Sequence, residues 1–211
     1  MSVSPNHGGR RTHTEGVIIH STRGGASTYA EEFESTVWWF ENPVSEVSAH
    51  AIVGYNGELD FPVTYEYTAW HAGRYNSDWL GIEVVQPGRD NEYSDAQYSL
   101  TAQIVLSMQK VFGFPLDRDH IKGHDEIDPK KSDPGSLWDW DKFMALLTPA
   151  APPAANIVPI PASLDKIWAT AQQLKSWGEA FGNQALIKQG VILEDAVRDI
   201  KGVTYRDPTQ P

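Results

Sequence analysis

Two histidines and an aspartate are the chain's best candidates for metal chemistry. His20 ends the apolar run EGVIIHST, whereas His124 and Asp133 both lie in the polar stretch GHDEIDPKKSDPG. Two neutral imidazoles and one carboxylate can form a zinc site that keeps a fourth position open for water. The spacing is not that of a helical metal motif, so a second interpretation stays open. In it, His20 is a hydrogen-bonded core residue and 123–135 is a solvated loop.

The amino-acid composition excludes several kinds of functional site and several classes of binding partner. The 211 residues include no cysteine, which excludes disulfides, thiolate ligands and a cysteine nucleophile. The net charge of −11 falls in the first 150 residues, because 151–211 hold six basic and six acidic residues. An acidic domain does not offer the clustered Lys and Arg that bind phosphates, so we expect no nucleic-acid partner. No run of 18 apolar residues occurs, so we expect no membrane insertion.

The elements that must position these residues follow from apolar periodicity and from cap and turn signals. Together they predict an α/β (α+β) domain with a central mixed β-sheet flanked by helices. The stretch 123–135 is predicted to be neither helix nor strand, because its prolines interrupt both backbone patterns. The predicted elements are strands over 15–22 and 79–88, a hairpin over 48–63, and helices over 27–42, 94–113 and 136–147.

The chain is predicted to have two parts. Residues 1–148 form the main domain, and 149–162 form a linker rich in proline and alanine, a composition typical of semi-rigid spacers. Residues 163–211 are predicted to be helical, with a small hairpin whose apolar stripe includes Trp168 and Trp177. That stripe needs a partner, so we expect self-association through 163–202, packing on the main domain, or binding to a cell wall.

Five motifs, in their order along the chain, resemble those of the zinc-dependent N-acetylmuramoyl-L-alanine amidases. They are GVIIHST, TVWWFENPVSEVSAHAIV, AWHAG, GIE and GHDEIDPKKSDPG, and they extend over residues 15–148. This amidase-2 family is related to peptidoglycan recognition proteins and is common in phage endolysins. The resemblance implies hydrolysis of the amide bond between N-acetylmuramic acid and L-alanine in bacterial peptidoglycan. It also implies one Zn²⁺, held by His20, His124 and Asp133.

The resemblance assigns roles to further residues. Glu83 in GIE is expected to accept a proton from the attacking water, and Lys131 is expected to stabilise the oxyanion. Some family members carry a tyrosine where this chain has Ala49, which favours Glu83 as the base. For His50, His71 and Trp70, packing in the protein interior remains an alternative to substrate contact. The residues expected to contact substrate are His50, Trp70, His71 and Asn76.

Three functions agree with these motifs. The first is a phage endolysin, made in the cytoplasm without a signal peptide and reaching the wall after holin-type release. The others are a non-catalytic peptidoglycan-binding module and a cytoplasmic amidase that recycles soluble muropeptides. Retention of His20, His124 and Asp133 favours an enzyme, and the linker with its additional segment favours the endolysin over the recycling amidase.

Overall fold

The computed structural model describes residues 4–148, together with Ala171 and Lys175. The chain divides into two units, Met1–Pro152 and Pro153–Pro211, and the elements described below belong to the first. The predicted linker at 149–162 lies outside the described residues. So do the helical region at 163–211 and the predicted self-association through 163–202, apart from the two single residues named above.

A central mixed sheet forms the framework of the described domain. The strands of the described residues are β1 (His7–Arg10), β2 (Gly16–Ser21), β3 (Ala51–Val53), β4 (Leu59–Asp60), β5 (Tyr67–Ala69), β6 (Trp79–Val84) and β7 (Ile121–Gly123). The central sheet has the strand order β4-β3-β6-β2-β7, with β3 and β4 antiparallel and the other three neighbouring pairs parallel. A smaller antiparallel sheet pairs β1 with β5.

Two helices begin and end within two residues of their predicted bounds, whereas the helix predicted over 136–147 begins only at Trp140. Thr28 accepts a hydrogen bond from the backbone N–H of Glu31 and so caps the first helix, while Ser94 and Gln97 form a capping box at the second. Gly113 ends the second helix at φ +76°, a conformation that suits glycine. No helix within residues 4–148 is long and apolar enough to cross a bilayer. The helices are α1 (Tyr29–Glu41), α2 (Asp95–Phe112), α3 (His124–Ile127) and α4 (Trp140–Leu147).

Helices α1 and α2 cover the sheet with their apolar sides. Phe40 of α1 is buried in one cluster with Ile52 of β3, and Phe33 packs against that cluster. Along α2 the side chains of Leu100, Ile104, Val105 and Met108 are buried, and the helix contacts β3, β6 and α4. The predicted fold class, a central mixed sheet flanked by helices, is therefore confirmed for the described domain.

The prediction that 123–135 is neither helix nor strand was wrong over 123–127 and correct over 128–135. Gly123 is the last residue of β7, and His124–Ile127 form the short helix α3. Backbone pairing with β2 supplies the partners of β7, and the Glu126 carboxylate accepts a hydrogen bond from the N–H of Gly123 at 2.6 Å. A Cβ on Gly123 would lie 2.5 Å from Asp125 Oδ1, so glycine is required here for space. Tertiary pairing has thus overridden the turn-forming composition.

Asp60, on the short strand β4, is expected to destabilise the fold at neutral pH. Its Oδ2 atom is buried without a hydrogen-bond partner. Burial, with the charge of Glu41 adding to it, raises the pKa of Asp60 to about 6. Between its unfolded pKa of about 3.9 and this value, the unfolded chain releases a proton that the folded chain retains. The free energy of unfolding should therefore fall as the pH rises through that interval.

Asp60→Asn should abolish this pH dependence. At pH 7 we expect the variant to be more stable by about 1–2 kcal/mol, with the difference vanishing near pH 4. Urea unfolding at the two pH values measures both quantities. Asp119→Asn is the matched control, because the Asp119 side chain is 91% exposed. The quantity compared is the difference in free energy of unfolding between Asp60→Asn and wild type. If that difference were the same at pH 7 and at pH 4, this account would be contradicted.

Candidate active site

The parallel pairing of β2 with β7 brings two distant histidines to the same edge of the sheet. Ile19 pairs with Gly123, so the residues that follow them, His20 and His124, emerge side by side. The Nδ1 atoms of the two imidazoles lie 3.0 Å apart. Asp133 completes the group, with its Oδ2 atom 3.1 Å from His124 Nδ1 and 3.3 Å from His20 Nδ1.

These three residues fit a metal ion. Among the described residues they form a cluster whose ligand atoms all lie within 4.8 Å of one another. A tetrahedral zinc site with bonds of about 2.0–2.2 Å separates neighbouring ligand atoms by about 3.3–3.6 Å, close to the distances seen here. His20, His124 and Asp133 therefore lie together in an arrangement that could hold a metal ion.

The protonation of the cluster also suits a cation. Burial alone would raise the pKa of the Asp133 carboxyl, but its hydrogen bonds to His124 and His20 hold that pKa well below the ordinary range. Burial lowers the pKa of His20, although its hydrogen bond to Asp133 acts in the opposite direction. A carboxylate that stays ionised and an imidazole that stays neutral are the forms in which both residues bind metal.

His71 orients His20 from the side opposite the cluster. His71 Nδ1 lies 2.9 Å from His20 Nε2, and His71 Nε2 lies 3.1 Å from the carbonyl oxygen of Trp79. Gly81 makes room for this ring, because a Cβ there would lie 2.5 Å from His71 Cγ. A fixed partner on the far nitrogen sets the tautomer and direction of a ligating imidazole, so we assign His71 this positioning task.

Arg23 holds the chain on both sides of Asp133. Its guanidinium donates to the carbonyl oxygens of Ser132 at 2.8 Å and Pro134 at 2.7 Å, and its Nε atom donates to Gln86 Oε1 at 2.9 Å. The Tyr93 hydroxyl also donates to the Pro134 carbonyl, at 2.9 Å. Arg23 itself adopts φ +51°, a strained value for a residue with a side chain. This geometry fixes the backbone from which the Asp133 carboxylate projects.

Arg23→Gln should weaken metal binding by about tenfold to a hundredfold, as supporting residues of metal ligands commonly do. The variant loses the guanidinium hydrogen bonds to the Ser132 and Pro134 carbonyls, while the ligands themselves are unchanged. Competition with a chelator measures the dissociation constant without any need for turnover. Arg89→Gln is the control, because Arg89 is exposed and lines only the neighbouring groove. Equal metal affinity in the two variants would remove Arg23 from this role.

The metal cluster forms part of the floor of an open cleft of about 630 Å³. Glu83 lies beside His20, because the two residues pair across β6 and β2, and its Oε2 atom is buried without a hydrogen-bond partner. Burial, followed by the charge of Asp133, raises the pKa of Glu83 to about 8, and Lys131 opposes that shift. Glu83 and Lys131 both line the cleft, so the two predicted catalytic residues lie next to the predicted ligands.

Of the four residues predicted to contact substrate, two line the cleft and two do not. Trp70 and His71 line it. His50 is fully buried, with its ring nitrogens 3.0 Å from the Tyr67 carbonyl and 2.9 Å from the Gly81 N–H, and burial followed by Arg11 lowers its pKa to about 3. The structure therefore contradicts the predicted contact by His50, which instead joins β5 to β6.

Asn76 is the second of these residues that does not line the cleft. Its side-chain oxygen accepts hydrogen bonds from the backbone N–H groups of His71 at 3.0 Å and Ala72 at 2.6 Å. The amide thus shapes the turn that carries His71 and does not line the cleft. Asn76 therefore has a structural task in this turn, and its contact with substrate stays a prediction.

Sequence reasoning missed many of the residues that line the cleft, including two tryptophans and an arginine. Trp38 and Trp39 of α1 line it, and so does Arg23. The helical pattern of α1 could have indicated Trp38 and Trp39. If Phe40 faces the core, helical periodicity turns the two preceding residues away from the core and towards solvent. Nothing in the sequence around Arg23 indicated that its side chain would reach residues more than a hundred positions away.

Comparisons with known proteins agree with this geometry. Residues 10–136 match the family model described as N-acetylmuramoyl-L-alanine amidase, Amidase_2. The chain is 36% identical over 115 residues to the 1,6-anhydro-N-acetylmuramyl-L-alanine amidase AmpD of Citrobacter freundii. That match covers 50% of this chain and 59% of the relative, so the chain spans about three fifths of the relative's length.

Solved structures show the same fold. A selenomethionine derivative of AmpD superposes with a TM-score of 0.59 at 24% identity, covering 69% of this chain and 92% of that one. A mutant endolysin from Bacillus subtilis superposes with a TM-score of 0.56 at 19% identity, with the same two coverages. At these identities the likeness establishes the architecture, and the chemistry has to be argued from the cleft itself.

Proposed function

The chain belongs to the N-acetylmuramoyl-L-alanine amidase family, and from that premise we propose that it hydrolyses the amide bond joining N-acetylmuramic acid to L-alanine. One observation carries the proposal: His20, His124 and Asp133 converge in the same cleft as the unpaired carboxyl of Glu83. A binding module has no need of a buried carboxyl beside a metal cluster. This favours a hydrolase over the non-catalytic alternative.

We propose zinc as the ion that His20, His124 and Asp133 hold. Two imidazoles and one carboxylate are a ligand set typical of catalytic zinc. When bound there, zinc supplies Lewis acidity and makes water a nucleophile at neutral pH. With only three protein ligands in the cluster, the remaining side of the site faces the cleft and is free for substrate.

Glu83 and Lys131 supply the proton transfer and the charge stabilisation in this proposal. Glu83 accepts a proton from the attacking water and passes it to the departing amine of L-alanine, a step that requires a carboxyl with no fixed partner. Lys131 places its ammonium group where negative charge develops on the carbonyl oxygen. Lys131 lines the same cleft as Glu83, and its charge lowers the pKa of that carboxyl.

The proposed substrate is a soluble muropeptide, hydrolysed in the cytoplasm. Support comes from the Citrobacter freundii relative, whose name specifies a 1,6-anhydro-N-acetylmuramyl-L-alanine substrate. That support favours the recycling function, which the sequence analysis had ranked below a phage endolysin. The preference for an endolysin had rested on the layout of the chain rather than on residues of the cleft.

Intact cell wall is the second candidate substrate. The observation that favours it is the open form of the cleft, which continues to the exposed tryptophans of α1 and so leaves room for more than one sugar. A cleft closed around a single sugar would have excluded a polymer. The fold does not decide between the two substrates, since both soluble muropeptides and polymeric wall contain the same amide bond.

Mass spectrometry of the products tests the proposal directly. The protein should be incubated with purified 1,6-anhydro-muropeptide and, in parallel, with intact sacculi. Release of free stem peptide with an N-terminal L-alanine shows cleavage of the proposed bond, and the relative rates rank the two substrates. Cleavage elsewhere in the stem peptide, or binding to both substrates without any product, would refute the proposed reaction.

A further inference from the structure

Two adjacent tryptophans of α1 are exposed at the edge of the cleft. Trp38 is 63% exposed and Trp39 is 44% exposed. Large apolar side chains that are exposed next to one another often mark a binding site. The two ring centroids lie 6.1 Å apart with planes inclined by 34°. Trp70 lines the same cleft, so three indole side chains, here called the aromatic flank, border it.

We propose that the aromatic flank binds the saccharide part of the substrate and extends over at least two sugar units. The identity of the ligand rests on the proposed function, since that function places a muramoyl sugar in this cleft. The apolar C–H face of a pyranose ring packs on the flat face of an indole, while the ring hydroxyls stay in water. Partly exposed indoles suit such a ligand, because it is apolar on its faces and polar around its rim.

The distribution of charge around the cleft assigns the sugar to this flank and the peptide to the other side. In the strand order β4-β3-β6-β2-β7, helix α1 contacts β3, whereas the segment that follows β7 carries Lys131. Lys131 also lines a second groove, whose other charged residues are Arg23, Arg89, Asp90 and Asp125, so that cations outnumber carboxylates there by three to two. Peptide carboxylates require such cations, and the indoles of the aromatic flank offer none. The neutral end of the substrate is therefore left for α1.

The exposure of Trp38 indicates that more than one sugar is bound. A ligand confined to the metal cluster and one muramoyl ring would leave the outer indole face uncovered. Val47, which lines the cleft on the same side, is also 36% exposed, so the apolar border continues outward from the buried metal ligands. A second sugar covers that border, and its contribution to binding should appear as a difference between monosaccharide and disaccharide substrates.

The test compares two substrates that differ by one sugar, N-acetylmuramoyl-L-Ala-D-Glu and its N-acetylglucosaminyl-N-acetylmuramoyl counterpart. Trp38→Ala and Trp39→Ala should each raise KM for the disaccharide substrate by about tenfold. KM for the monosaccharide substrate should rise less, and kcat should stay within about twofold of wild type, since neither residue touches the reacting atoms. Leu146→Ala is the matched control, because Leu146 is 42% exposed on α4 and does not line the cleft.

A binding measurement separates this inference from the proposed reaction. Peptide-free N-acetylglucosaminyl-N-acetylmuramic acid is titrated calorimetrically into the full-length wild type and into the Trp38→Ala/Trp39→Ala double variant. Loss of saccharide binding only in the double variant supports the aromatic flank, even if the protein turns out to cleave a different bond. The inference is overturned if the saccharide binds both proteins equally. It is also overturned if the variants instead weaken binding of the free L-Ala-D-Glu peptide, or change only the solution mass.

Discussion

Replacing Asp133 by alanine should release the metal and reduce amide hydrolysis by about a thousandfold or more. The carboxylate is the only anionic member of the cluster, and it lies 3.1 Å and 3.3 Å from the two imidazole nitrogens. Without it, two neutral histidines hold a divalent cation weakly. Elemental analysis should find one zinc ion per wild-type chain and a small fraction of that in the variant. Hydrolysis is followed by chromatography of the released peptide.

Asp119→Ala is the control for this substitution, because Asp119 is exposed and lies outside the cluster. Chelation of the wild type should reproduce the loss of activity and lower its melting temperature, since an ion bound only by the folded state stabilises that state. At a hundred times its dissociation constant, such an ion contributes about 2.7 kcal/mol. Full activity in carefully purified protein that contains no zinc would eliminate the proposed metal centre.

The metal cluster shows what the sequence alone does and does not specify. His20 and His124 are separated by 104 positions, and their distance in space depends on the parallel pairing of β2 with β7. Strand β7 has three residues, too few for a periodic pattern to appear, and it runs into a stretch with the composition of a loop. The spacing of the three residues in the sequence therefore did not decide between a metal site and a solvated loop. Only the ordered motifs of the family resemblance identified the metal site.

Elements that carry local signals were predicted well. Helix α2 has a capping box at Ser94, an apolar side and a terminal Gly113, and its bounds differ from the prediction by about one residue. The pairing of β1 with β5 was missed, because His7–Arg10 is a polar segment whose strand conformation comes from its partner. A strand made by tertiary pairing leaves little trace in its own composition.

Side-chain direction is the part that sequence reasoning could not supply. His50 and His71 both lie in segments that resemble the family, yet one is buried between two backbone groups and the other reaches His20. The difference arises from the direction in which each strand end projects its ring, and a motif does not record that direction. The same limit applies to Arg23, whose role becomes visible only once the loop around Asp133 lies next to it.

Glu83 is proposed to transfer a proton in the reaction, and the same buried carboxyl should lower the free energy of unfolding of the metal-free protein. Its carboxyl is buried and its Oε2 atom has no partner, and burial together with Asp133 raises its pKa to about 8. The raised value means that, in metal-free protein, the folded chain retains a proton that the unfolded chain releases above its pKa of about 4.3. Stability of the metal-free fold should therefore decrease as the pH rises from about 4 towards 8. A carboxyl that destabilises the fold in this way is not explained by a structural role. A role as proton acceptor in the proposed reaction does explain it.

Glu83→Gln should consequently reduce kcat by about 10²–10⁴ while leaving the bound zinc in place. The amide has nearly the same shape but does not accept the proton of the attacking water, and Glu83 is not one of the three ligands. The same substitution should raise the melting temperature of the metal-free protein at pH 8 and have little effect near pH 4, because a neutral amide avoids the cost of ionisation. Calorimetry, elemental analysis and product chromatography measure the three quantities.

Two comparisons make this result decisive. Glu34→Gln removes an exposed carboxylate from α1 and should change neither turnover nor stability. Lys131→Ala should also retain zinc and lose about 10²–10³ in kcat, since it removes the charge that we propose to stabilise the oxyanion. If Glu83→Gln turned over substrate at a rate near that of wild type, another group would have to be the base. If it lost zinc along with activity, Glu83 would belong to the metal site, and the missing turnover would no longer indicate proton transfer.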